Sequence, residues 1–289
     1  MARYFCLIVV VWSFAAGIHA QEKPHVDESL LFYSTFDDTT DVNLFGPDND
    51  AGWIYSAEST RRNDVLMNNR SAAVAIEAGK GRLGDCLTFS AATKRVLFYQ
   101  ASPNLPFPRR NWLGAVSLWL RPKQSVQGNR ECYPILFYDG DWARGGFYLR
   151  LPSGPRAKLE FGTVSSGDRP QTISWPREIP MDARQIVTFD GDQMKRREWM
   201  MVTFTFENVN PGDGNDCLCK LYIDGELVGQ MRQSLQIRWM DPADGKAEQE
   251  AAVFLGVNYV GGIDDLRIYG RALSANRVRR LYQAAQETD

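Results

Sequence analysis

From Gly84 onward, apolar and polar positions alternate in short stretches separated by glycine, proline, asparagine and aspartate. Ala115–Arg121 puts Val116, Leu118 and Leu120 on one face of a strand, and Trp199–Glu207 puts Val202, Phe204 and Phe206 on one side with Met201, Thr203 and Thr205 on the other. Shorter runs of the same kind fall at Leu30–Phe36, Cys86–Phe89, Arg95–Tyr99, Pro134–Tyr138, Gly146–Leu151, Ala157–Phe161, Gln185–Phe189 and Ala252–Gly256. Leu218–Ile223 and Glu226–Gly229 flank Asp224-Gly225, whose residues take the positive φ a tight hairpin needs. In Ala51–Arg70 the pattern is mixed: Trp53 and Tyr55 fit a strand, Asn63, Asn68 and Asn69 a loop. Only Ser274–Gln286 repeats at helical spacing, with Val278, Leu281, Tyr282 and Ala285 on one face and Ser274 as cap. Many short strands and one closing helix predict an all-β sandwich or barrel.

Near the end lies the sharpest chemical feature. Gly261–Ser274 reads as a turn, a strand and a second turn feeding the helix. Strict alternation over Ile263–Tyr269 puts Asp264 on the side of Leu266 and Ile268. A carboxylate there requires a backbone donor, a cation or a local bulge that swings it out.

Residues 1–20 carry Arg3, an apolar run from Cys6 to Phe14 and a small-residue site ending at Ala20, the pattern of a secretory signal peptide. Residues 21–29 are polar and read as a disordered leader, leaving 30–289 as one domain. A secreted, periplasmic or extracellular protein is expected, without a membrane span. Cys86, Cys132, Cys217 and Cys219 permit two disulfides in an oxidising compartment. Bonding Cys217 to Cys219 would be strained at that spacing, so each is expected to meet a distant partner. Both histidines, His19 and His25, precede the domain, which removes histidine triads and histidine-ligated zinc. A net charge of -2 without any basic stripe gives no ground for nucleic-acid binding.

Phe36-Asp37, Gly79–Phe89, Ala115–Pro122, Trp199, Lys220–Gly225 and Gly262–Ser274, in that order, resemble the laminin G-like group of the concanavalin A-like lectin/glucanase superfamily. The resemblance spans Leu30 to Tyr282 and implies a jelly roll of two curved antiparallel sheets, with the first strand beside Ile263–Tyr269. It also implies a structural calcium shared by Asp37 and Asp264, with Asp38 and Asp265 as register-shifted alternatives. Calcium suits hard oxygen ligands; the other reading is that Asp264 accepts turn N–H groups and Asp37 caps a loop. The sequence departs from the group at Ala275, Asn276 and Arg277, where acidic residues are usual, and in the long loops Thr39–Arg70 and Ser165–Asp182.

Trp53, Trp112, Trp142, Trp175 and Trp239 lie in or beside predicted loops, where an indole can stack on a sugar or cover the end of the core. Asp139–Arg144 gathers the types a sugar site uses, making Asp141, Trp142 and Arg144 the candidate ligand-binding residues. Glucanase chemistry needs two carboxylates across the bond. The strands carrying Glu160 and Glu207 offer one each, so a non-enzyme is expected. Two functions remain in view: a recognition module for glycans or another extracellular polymer, and a structural or protein-interaction domain of an envelope or extracellular assembly.

Overall fold

A computed structural model describes residues 27–37, 53–56, 73–92, 95–101, 105, 107, 110–123, 132–139, 144–151, 158–166, 185–190, 198–212, 214–239 and 251–287. These form two packed antiparallel sheets, a jelly-roll sandwich. The first sheet runs β13 (Glu226–Gln233), β12 (Cys217–Ile223), β11 (Met200–Val209), β6 (Trp112–Pro122), β15 (Gly261–Tyr269), β4 (Cys86–Phe89) and β3 (Val74–Glu77), and β1 (Leu30–Ser34) also pairs with β15. The second runs β10 (Ile186–Phe189), β9 (Leu159–Val164), β8 (Gly146–Leu151), β7 (Cys132–Tyr138), β14 (Ala252–Val257), β5 (Arg95–Gln100) and β2 (Trp53–Ser56). The expected neighbourhood of the first strand and Ile263–Tyr269 is present: Phe32 lies opposite Ile268 and Ser34 opposite Leu266. Trp53–Ser56, ambiguous in the sequence, is a strand on β5.

The alternation read from β6 and β11 sorts side chains as expected. Val116, Leu118, Leu120, Val202, Phe204 and Phe206 enter the core between the sheets, while Ala115, Trp119 and Met201 lie on the outer face. Phe204 reaches the second sheet, stacked on Phe161 at 4.6 Å and edge-on to Phe137 at 5.9 Å. This burial of large aromatic area is the main force holding the sheets together.

The outer face of the first sheet is closed by α1 (Ala275–Gln286). Val278 and Ala285 are buried on it, and Tyr282 stacks on Trp119 at 5.8 Å. Ser274 Oγ accepts the Arg277 N–H at 3.3 Å, the cap the sequence predicts. The first turn holds no acidic residue; instead Asp27 lies 3.3 Å from Arg277 and 2.9 Å from Arg271. Asp27 also accepts from the Ser29 backbone and hydroxyl. Burial raises its pKa, but these donors and the two arginines outweigh it and the net shift is downward. Residues 27–29, assigned from sequence to the disordered leader, are therefore held to the helix end of the domain. Ser274→Ala should cost about 1 kcal/mol, read as a lower urea midpoint with an unchanged m-value.

The cysteines do not find the distant partners expected of them. All four are buried free thiols. Cys86 alternates with the core residues Leu87 and Phe89 and so faces outward, near Arg121, whereas Cys132 points into the core. Cys217 and Cys219, two apart on the inner face of β12, are each other's neighbours, sulfur to sulfur 3.5 Å.

β15 also departs from strict alternation. Its register against β6 shifts between Asp264 and Arg267, and Asp265 has φ +50°. The extra residue keeps Ile263 and Leu266 in the core and puts Asp264 opposite Trp119, whose ring lies on the outer face. Asp264 thus leaves the side of Leu266 and Ile268 to which a regular strand would commit it.

Candidate functional site

The calcium candidates sit on either side of the loop 79–85. Asp264 Oδ2 accepts the backbone N–H groups of Arg82 and Leu83 at 2.7 and 2.9 Å. Asp37, exposed after β1, accepts the Asp85 N–H at 2.8 Å, and Asp85 in turn accepts the Gly79 N–H at 2.8 Å. Glycine is required at two points of this loop: a Cβ on Gly81 would come 2.7 Å from Asp264 Oδ2, and one on Gly84, at φ +81°, would overlap the Asp37 carboxylate. Arg82 ties the loop to α1, donating to the Ala285 carbonyl at 2.8 Å with its guanidinium over Trp119.

Asp264 is fully buried, and its Oδ1 has no hydrogen-bond partner. Burial, aided by the neighbouring Asp265 charge and opposed by the two loop N–H groups, pushes its pKa up to about 7. Such an oxygen suits a hard cation. Among the described residues no three Asp, Glu, His or Cys side chains come together. A calcium here would therefore use Asp264, Asp37 and otherwise backbone carbonyls and water. Of the register-shifted alternatives, Asp265 is held by Arg267 at 2.9 Å, and Asp38 lies outside the described residues.

Arg144, the ligand-binding candidate among the described residues, falls at an end of the sandwich where several segments meet. Of Asp141, Trp142 and Arg144, the first two lie outside the described residues. Arg144 pairs with the buried Asp139 at 2.9 Å, and its carbonyl accepts the Arg238 N–H at 2.7 Å. Trp239 Nε1 donates to the Gly145 carbonyl at 3.0 Å. Asn210 Oδ1 accepts from Ile237 N at 2.6 Å, its carbonyl from Asn111 N at 3.1 Å and its own N–H reaches the Leu235 carbonyl at 2.9 Å. Ser165 Oγ accepts from Gln236 N at 2.9 Å. Asn111 and Asn210 hold positive φ, a conformation asparagine tolerates better than most residues. Backbone and side-chain hydrogen bonds thus lock four connections around 234–239.

Beneath them lies an aromatic floor. Trp112 contacts Phe107, Phe147, Phe206 and Trp239 at 4.6–5.7 Å between ring centroids. Trp112 and Trp239, possible sugar platforms on sequence grounds, are buried core residues; the positions of Trp142 and Trp175 lie outside the described residues, as do the side chain of Trp53 and its contacts.

One feature of the second sheet escaped the sequence reading. On its outer face Phe98, Tyr133, Leu136, Tyr148, Ala252 and Phe254 form a second apolar cluster, beside an Arg150–Glu160 ion pair that is 4 and 5% exposed. The signal was the run of apolar residues on both faces of β7 and β14, the pattern of strands covered on both sides. Glu160 is held by Arg150 Nε at 2.7 Å and by Nη2. Glu207 lies on the other sheet, 3.8 Å from Lys220, so the two glutamates do not share a site.

Two antiparallel sheets with an aromatic core, a helix closing one of them and loops gathered at the ends define a lectin-like β-sandwich. The chain belongs to the concanavalin A-like lectin/glucanases superfamily, whose Laminin_G_3 family model matches residues 98–279. Among solved structures it is similar to domain 4 of AbnA, a GH43 extracellular arabinanase from Geobacillus stearothermophilus, in complex with arabinotriose. That match has 19% identity and a TM-score of 0.51, covering 88% of this chain and 98% of that one. It is also similar to the receptor binding domain of a botulinum neurotoxin C/D mosaic serotype, at 16% identity and a TM-score of 0.51, covering 78% of this chain and 49% of the other. Likeness at these identities is of fold alone. A search of the curated proteins found no match. No helix among the described residues is long and apolar enough to cross a membrane.

Proposed function

We propose that this protein is an exported, non-catalytic recognition module that binds a glycan or another extracellular polymer at the end of the sandwich built around Arg144. The observation that carries the reading is the convergence of the described residues of the segments 107–112, 139–145, 165–166, 208–212 and 234–239 into one hydrogen-bonded rim over the Trp112 floor. Loops fixed on a rigid scaffold are where binding residues are most often placed. Membership of a lectin-containing superfamily supports the reading, although fold alone does not fix function. Asp141 and Trp142 complete the proposed contact: the indole stacks on a sugar face while carboxylate and guanidinium take the hydroxyls. A glycan and polysaccharide array with the mature protein tests it. Saturable binding is expected, reduced about tenfold by Trp142→Ala; a folded protein that binds nothing on the array would sink the glycan reading and favour a protein-interaction domain.

A structural calcium at Asp264 and Asp37 is the second part of the proposal, supported by the partnerless buried Oδ1. Its role is to brace the loop 79–85. Calcium titration should raise the melting temperature of the wild type and have no effect on Asp264→Asn.

A further inference from the structure

We propose that this same end of the sandwich selects an anionic polysaccharide, one bearing carboxylates or sulfates, through Arg110 and Arg238. The inference rests on the recognition reading above and names the ligand class for it. By sequence the five segments hold two acids, Asp139 and Asp141, against four arginines, Arg109, Arg110, Arg144 and Arg238, and the Arg144 guanidinium lies 2.9 Å from Asp139. Arg110 and Arg238 are exposed, and among the described residues neither has an ion-pair partner. The excess is local, because the whole chain carries a net charge of -2. A positive end on a slightly negative protein gives a polyanion one preferred place and orientation.

The two arginines are placed by the same hydrogen bonds that build the rim. Arg238 N donates to Arg144 O, so these two residues share one backbone contact. Ile237 and Asn111, the chain neighbours of Arg238 and Arg110, both donate to Asn210. Arg110 is set further by its side chain lying 3.5 Å from where a Cβ on Gly212 would stand, and the Gly212 N–H donates to Asn111 Oδ1. The planar guanidinium fork matches carboxylate and sulfate geometry, and its charge persists at any physiological pH. Phe107, half-buried against Trp112 and Trp239 at 5.0 Å, adds an apolar face beside the cations that a sugar ring can use.

The test compares dextran with dextran sulfate, which share one glucan backbone and differ in sulfation, and adds polygalacturonate as the carboxylated probe, all by biosensor on the mature protein. Binding is expected for dextran sulfate, polygalacturonate or both, weakened by salt, and not for dextran. Which polyanion binds separates sulfate from carboxylate recognition. Arg110→Ala/Arg238→Ala should lower the affinity about three- to tenfold. Arg280→Ala/Lys158→Ala, which removes two exposed positive charges away from the rim, should leave it unchanged, with all variants shown folded by circular dichroism. Equal binding of dextran and dextran sulfate overturns the proposal, as does an equal loss in the control variant. Neutral glycans bound while polyanions are not would overturn this inference and leave the recognition reading standing; no binding to any polysaccharide overturns both.

Discussion

Arg150→Ala should lower the stability of the domain by about 3–5 kcal/mol, measured by urea denaturation. Arg150 on β8 lies opposite Glu160 on β9, and both side chains are almost fully buried in the outer layer of the second sheet. The cost of removing the arginine is that of leaving an ionised carboxylate in an apolar layer with its counter-charge gone. Its neighbour in that layer is Tyr148, whose ring fills the space above Gly162. The paired replacement Arg150→Met/Glu160→Leu should recover most of the loss, because matched apolar residues have no charge to desolvate. A double variant as unstable as the single one would show that shape, and not the orphaned charge, sets the penalty.

Asp264→Ala should lose about 1–3 kcal/mol, since two partly buried N–H groups, Arg82 and Leu83, lose their acceptor. Asp264→Asn keeps an acceptor oxygen and should lose much less. The acid also sets a pH dependence in the presence of chelator. Its folded pKa, about 7, is above the 3.8 of an aspartate in an unfolded chain. The native state therefore holds a proton that the unfolded chain has released, and this contribution is full below the unfolded value. It declines as pH rises from about 4 to about 7, by up to about 1.4 kcal/mol per pH unit. Asp264→Asn should flatten that slope. Added calcium should flatten it too, because a cation takes the ionised form, and its affinity should rise with pH. A wild type whose stability rises through that window in chelator would contradict the buried, proton-holding state of Asp264.

The fold was legible where local pattern decides the outcome. Val116, Leu118 and Leu120 announce a core face by alternation alone, and Asp224-Gly225 makes the predicted hairpin, with φ of +49° and +84°. The bulge in β15 was legible only as one of three ways to accommodate Asp264, because the shift depends on β6 and on N–H donors 181 and 182 residues away. The rim was legible only in part. Arg144 stood out as a polar residue in a short turn, but its backbone contact with Arg238 did not. Arg238 and Trp239 reach the same place through contacts 94 residues apart, which no local spacing records. Trp112 and Trp239 show the same limit: their type and loop-like neighbours were visible, while the Phe147 and Phe206 rings packed on Trp112 come from β8 and β11, and Trp239 packs on Trp112 from a different segment.

Arg82 joins three parts of the domain that are remote in sequence: its backbone holds Asp264 of β15, its guanidinium lies over Trp119 of β6, and its Nη2 reaches the last turn of α1. Opening α1 would strip the cover from Trp119 and release the loop that grips Asp264. The helix, the loop and that stretch of β15 should therefore open as one cooperative unit. Their amide protons should exchange with solvent at a common opening free energy, and Arg82→Ala should accelerate exchange in all three together.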